Sequence, residues 1–112
     1  MIGLKMSATY TSSTATVATS RAARYGKQLV THLGRRSVGN WNESTGSGTL
    51  EMGEGAARVA LSSTPQALVI TVEASEAEIS NYEDVVARHL ERFGERDELR
   101  VHWERPGHAP AG

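Results

Sequence analysis

The sequence predicts an α+β domain: a two-layer sandwich in the order β-α-β-β-β-β-α-β, with two antiparallel helices on one face of an antiparallel-dominated sheet. Three observations carry this reading. A unit recurs after about fifty-five residues: Thr16-Val17-Ala18-Thr19-Ser20 leads into a run with Tyr25 and then His32-Leu33-Gly34-Arg35, while Thr71-Val72-Glu73-Ala74-Ser75 leads into one with Tyr82 and then His89-Leu90-Glu91-Arg92. Each copy is followed by a short segment ending in Trp, Trp41 and Trp103, so a strand–helix–strand unit is repeated about a pseudo-two-fold. The apolar period switches between two and 3.6 along the chain. Glycine and proline clusters then punctuate the middle into hairpins.

Each element follows in order. Residues 13–19 alternate small polar residues with Ala15 and Val17, as a strand with one buried face does. Ser20 is placed as the N-cap of a helix over 21–34, with Ala22, Tyr25, Leu29 and His32/Leu33 on one face and Gly34 at its stop. Ser37 to Asn42 reads as a strand. Gly46-Ser47-Gly48 turns into Thr49–Met52, and Gly53-Glu54-Gly55 turns again into Ala57–Leu61. Thr64-Pro65-Gln66-Ala67 has Pro where a type I turn prefers it, and returns the chain into Leu68–Val72. That run is apolar and β-branched, which places it in the sheet interior. Ser75 with Glu78 forms a capping-box pattern ahead of a second helix. Its stripe is Ile79, Tyr82, Val86, His89 and Phe93, with Val85 and Leu90 alongside, and it stops at Gly94. Phe93 and Val86 are expected in the core. Leu99–Trp103 alternates as a last strand. The domain therefore spans 12–105, between an N-terminal tail over 1–11 and a flexible C-terminal tail over 106–112. Its pattern is ferredoxin-like, with the extra central strands of a TATA-binding-protein-like fold.

Composition narrows the function classes. The 112 residues suffice for one core and no more. With no cysteine, disulfides, thiolate metal sites and a cysteine nucleophile are excluded. No apolar run approaches the ~18–20 residues of a membrane helix, and the start lacks a signal-peptide stretch, so a cytoplasmic location is expected. A pI of about 6.4 and six aromatics argue against nucleic-acid binding. The net charge of −1 hides an asymmetry. Ser20–Val38 holds five basic residues and no acid, whereas Glu76–Arg105 holds nine acids against five arginines. Either the two helices neutralise one another, or the first presents a basic face to an anion.

No established catalytic motif is present. The repeated tyrosines and histidines are the sharpest candidates. His lies seven residues after Tyr on each helix, ~10 Å at 1.5 Å per residue. Antiparallel helices lying side by side then put His32 nearest Tyr82 and His89 nearest Tyr25, with the histidines apart. Tyr–His hydrogen bonds are expected, and neither a shared metal nor any cofactor. Arg88, Arg92 and Arg96, interleaved with Glu91 and Glu95, read as a salt-bridged exposed ladder.

Arg24-Tyr25-x-Lys27-Gln28-Leu29-x-x-His32 and His89-Leu90-Glu91-Arg92-Phe93-Gly94-x-Arg96-x-Glu98-Leu99-x-Val101-x-Trp103 resemble an uncharacterised bacterial family, domain of unknown function 2218, over residues 11–105. The resemblance implies no activity. Members often occur beside, or fused to, siderophore-interacting flavin reductases, which implies by association a role near iron–siderophore handling. The chain departs from the family pattern at Gly46-Ser47-Gly48-Thr49-Leu50, where an aromatic tends to precede the strand.

Two functions are expected from these residues. One is a non-catalytic accessory or binding module. It would use Arg24, Tyr25, Lys27, His32, Arg35, Tyr82, His89 and Arg92 to hold an anionic small ligand, such as a ferric siderophore, or an acidic protein partner. The other is a small enzyme with His32 or His89 as general base and a tyrosine as acid. A homodimer is expected through the helix layer or through the second sheet face, near Trp41 and Trp103.

Overall fold

The structure, a computed structural model, describes residues 10–34 and 38–105. Arg35, named above as a ligand-binding residue, lies outside the described residues, as does the expected tail over 106–112. Strand β1 (Tyr10–Ala18) leads to helix α1 (Ala22–Leu33). Four strands follow: β2 (Val38–Asn42), β3 (Ser47–Met52), β4 (Ala57–Ser63) and β5 (Ala67–Ser75). Helix α2 (Ile79–Phe93) and a 3-10 turn at Glu95–Asp97 complete the order. The strands form one sheet, β1-β5-β4-β3-β2, antiparallel at every step. No helix among the described residues is long and apolar enough to cross a membrane.

Alternation builds one buried face. Ala15 and Val17 of β1, Leu50 and Met52 of β3, Ala57, Val59 and Leu61 of β4, and Leu68, Ile70, Val72 and Ala74 of β5 are all buried. The register sets Val59 opposite Val72, and Ile70 opposite both Leu61 and Ala15, so these side chains share a side. Both helices pack on it. Helix α1 crosses β2 to β5, while α2 covers β5 and β1. Each fully buried aliphatic side chain contributes about 1.5–3 kcal/mol of transfer free energy. The opposite face is polar, with Thr14 and Thr71 joined through their hydroxyls at 3.2 Å and Arg58 facing Glu51 at 3.6 Å.

The structure corrects several local expectations. Leu99–Trp103 is not a strand. The Val101 N–H is taken by the Glu91 carboxylate at 3.0 Å, and only Glu104 pairs with the sheet, exchanging two 2.9 Å backbone bonds with Thr14. The capping box does not form, because Ser75 is still paired to Tyr10 at the end of β5. At α1, Thr19 rather than Ser20 supplies the hydroxyl, accepting the Arg21 N–H at 3.0 Å. On α2 the buried positions are Ile79, Glu83, Val86 and Leu90, while Tyr82, His89 and Phe93 are half-buried. The stripe is rotated toward Leu90, so Val86 is core and Phe93 sits at its edge.

Trp41 also differs from expectation. It lies on the helix side of the sheet, half-buried, and its indole fills the space above Gly26 of α1. A Cβ at Gly26 would stand 2.7 Å from Trp41 Cη2 and 3.1 Å from Leu68 Cδ1. The glycine is what lets α1 descend onto the indole. The open sheet face therefore lacks this tryptophan, and the exposed large apolar side chains among the described residues are Tyr10 and Val38, on opposite edge strands.

Candidate functional site

Helix α1 meets the later residues of α2 and the turn that follows it. Tyr25, early in α1, reaches beyond the end of α2 to Asp97, and His32 reaches back to His89 and Phe93. The helices are antiparallel in sense but displaced, so that the C-terminal part of α2 lies beside α1 while its first turns extend past it. This overturns the expected Tyr–His exchange. The two imidazole centroids are 5.0 Å apart, tilted by 47°, and Phe93 stands edge-on to His32 at 5.3 Å and to His89 at 6.3 Å. Neither tyrosine hydroxyl bonds a histidine among the described residues. The reason is axial offset. A pairing of each histidine with the other helix's tyrosine needs full side-by-side overlap, and the helices lack it.

A cleft opens where the start of α1 meets the end of α2. It encloses about 380 Å³ and is lined by Arg21, Arg24, Tyr25, Gln28, Arg92, Phe93, Glu95, Arg96 and Asp97. Four guanidinium groups thus face one space of small-molecule size. None of the four has a carboxylate within 4.0 Å among the described residues; the ion pairs there are Lys27–Glu43, Arg58–Glu51 and Arg105–Glu83. The expected ladder of salt bridges along α2 therefore does not exist. Glu91 is turned to the Val101 N–H instead, leaving Arg88 and Arg92 without it.

Tyr25 forms the floor of this cleft. Its ring is buried, and its hydroxyl donates to Asp97 Oδ2 at 2.6 Å. That hydrogen bond holds the phenol above its ordinary range, burial and the charge of Asp97 add to the rise, and Arg21 and Arg24 oppose it. Two of the six charged groups in the cleft are thus acids, one committed to Tyr25, and the positive charge predominates.

The remaining candidates scatter. Arg24, Lys27, Gln28, Thr31 and His32 line a shallow hollow of about 400 Å³ on the outer side of α1. Lys27 is held there by the exposed Glu43, whose carboxyl this ammonium lowers below the ordinary range. Tyr82 stands away from the cleft, over the β3–β4 turn, where its hydroxyl occupies the space a side chain at Gly53 would need. Gly53 has φ +62° as well, so the turn requires glycine there twice over. Arg24, Tyr25 and Arg92 come together in the cleft, His32 and His89 beside it, and Tyr82 does not join them. Arg21, Arg96 and Asp97 complete the cleft without having been expected to bind a ligand. The signal for the arginines lay in the unbalanced basic run of the first helix and the four-residue arginine step of the second.

A second charged cluster escaped the sequence reading altogether. Glu83 is buried on the core face of α2 and accepts two bonds from Arg105, from Nε at 2.9 Å and Nη2 at 2.7 Å. Nη2 also reaches Ser80 Oγ at 3.1 Å. Burial by itself would raise the Glu83 carboxyl, but the Arg105 fork, helped by the nearby Ser13 hydroxyl and the Arg105 charge, outweighs it and leaves the group below its ordinary range. Ser13 Oγ is buried and has no hydrogen bond of normal geometry among the described residues, so its contribution is that of a neighbouring dipole. The cluster ties the C-terminal segment to α2. The signal was Glu83 itself, a charge four residues after Ile79 and three before Val86, on the apolar face.

Comparison with known proteins agrees with this architecture. The NMR structure of PA4090 from Pseudomonas aeruginosa superposes with a TM-score of 0.65 at 27% identity, covering 84% of this chain and 95% of that one. No curated protein matches significantly. The profile of the family described as "Uncharacterized protein conserved in bacteria (DUF2218)" matches residues 14–104, a span that includes both helices, the whole cleft and the histidine pair. The chain belongs to this DUF2218 family.

Proposed function

We propose that the chain is a non-catalytic binding module that takes an anionic small molecule into the cleft between α1 and α2. One observation carries this: Arg21, Arg24, Arg92 and Arg96 face a common space, and none is neutralised by an ion pair among the described residues. Guanidinium forks match carboxylate and phosphate oxygens two at a time, and four in one concavity favour a ligand with more than one negative charge. A ferric siderophore bearing carboxylates falls in this class, on the strength of the family's association alone. An acidic protein surface would meet only the cleft's rim, which makes a small ligand the better fit.

The acid–base enzyme reading has less support. Tyr25's hydroxyl is committed to Asp97, Tyr82 lies over the β3–β4 turn, and among the described residues no tyrosine hydroxyl bonds a histidine. The test is calorimetric titration of the full chain with citrate and with pyrophosphate. Saturable binding that weakens with added salt is expected. Arg24→Glu together with Arg92→Glu should abolish it, while Arg58→Glu, on the opposite sheet face, should leave it unchanged. Failure of either anion to saturate, or parental binding by the double variant, sinks the reading.

A further inference from the structure

The histidine pair can be argued separately from the cleft. We propose that His32 and His89 form a two-imidazole site for a single transition-metal ion such as Cu2+ or Zn2+. Three observations support it. The ring centroids are 5.0 Å apart. An imidazole centroid lies roughly 3 Å from an ion bound at about 2 Å by its nitrogen, so two rings on one tetrahedral ion have centroids on the order of 5 Å apart. The centroid spacing therefore matches a shared ion, with the rings turned to aim their nitrogens and neither helix moved.

His89 is also prepared for the role. Its Nδ1 lies 2.7 Å from the Val85 carbonyl oxygen. A carbonyl can only accept, so Nδ1 donates there, and in the neutral ring it is Nε2 that holds the lone pair. A ring nitrogen anchored on a backbone carbonyl, with the other nitrogen free, is the arrangement that orients histidine ligands. His32 is exposed and makes no hydrogen bond among the described residues, so its ring can turn to the ion at little cost. Phe93 packs edge-on to both rings and closes one side.

Chemistry defines the ion class. Neutral imidazole suits Cu2+, Ni2+ and Zn2+ and does little for Mg2+ or Ca2+. Among the described residues, no group of three or more His, Cys, Asp and Glu is clustered for a metal. The protein would thus supply two ligands, with the remaining positions filled by water or an incoming molecule. Such a site binds and presents an ion and does not hold the fold together. This inference does not depend on the anion reading, since its two ligands lie outside the residues lining the arginine cleft.

The experiment is titration of the full chain with CuCl2 and with ZnCl2, followed by calorimetry, imidazole NMR signals and, for copper, electron paramagnetic resonance. One equivalent should bind, copper more tightly than zinc, with hyperfine structure from two imidazole nitrogens. His32→Gln and His89→Gln should each weaken binding at least about tenfold, whereas His102→Gln should leave it within about twofold, since His102 is not part of the pair. Far-UV circular dichroism checks the fold. His32 is exposed, so its variant remains readable even if His89→Gln unfolds. No saturation with copper, or binding by His32→Gln equal to that of the parent, overturns the proposal.

Discussion

Helix α2 carries two charged regions that the fold treats in opposite ways. In its first half Glu83 is buried and bonded at both oxygens by Arg105, which also donates to Ser80 Oγ. At its far end, Arg92 and, in the 3-10 turn just beyond, Arg96 stand open to a cleft with Arg21 and Arg24, and among the described residues none has a carboxylate within 4.0 Å. The contrast follows from solvation. A buried carboxylate without a partner costs several kcal/mol, so the core position demands Arg105. An exposed guanidinium costs almost nothing unpaired, so the rim can hold four of them in reserve. The first region should show itself in stability and the second in binding.

The largest effect is expected from Glu83→Ala. It leaves Arg105 half-buried and unpaired, and should cost about 2–4 kcal/mol, somewhat under the ~3–5 kcal/mol of a fully buried pair because Arg105 keeps some solvent contact. Urea denaturation measures it. A loss below about 0.5 kcal/mol would place this cluster with ordinary surface pairs and dissolve the comparison.

Acid should reproduce part of that loss in the parent. The Glu83 carboxyl titrates lower when folded than when unfolded. Its contribution is therefore complete above its ordinary value of 4.5 and disappears as pH falls through the lower, folded value. Below that ordinary value the parent should lose stability more steeply than Glu83→Gln, which has no carboxyl to protonate there. Parallel stability–pH curves for the two would contradict the assignment.

Tyr25→Phe tests the floor of the cleft. It removes the hydrogen bond to Asp97 but keeps the buried ring, so about 1 kcal/mol should be lost. Citrate binding should fall only modestly, and a complete loss would mean that the phenol itself meets the ligand. The smallest stability change is expected from Arg92→Gln, within about 0.5 kcal/mol by thermal melting, accompanied by weaker binding of both citrate and pyrophosphate. Destabilisation as large as that of Glu83→Ala would show the two regions to be one kind of structure after all.

What the sequence determined by itself was the set of hairpin strands and the two helices, whose signals are local. The apolar, β-branched run of Leu68–Val72 and the alternation through Ala15 and Val17 placed these strands, because each side chain's transfer free energy depends on its own chemistry and strand side chains follow a fixed period of two. Glycine and proline placed the hairpins, since the turn geometry needs those residues at those positions. The same logic located both helices and the basic character of the first. Tertiary packing alone decided the rest. How far one helix slides past the other is set by Tyr25 reaching Asp97, Phe93 meeting two histidines, and Trp41 filling the notch at Gly26, and no period in the chain encodes that displacement. The slide brings His32 to His89, gathers four arginines drawn from two distant segments, and leaves Tyr82 apart. Likewise Leu99–Trp103 has the alternation of a strand, but competition for its backbone donors, won at Val101 by Glu91, leaves a single bridge at Glu104.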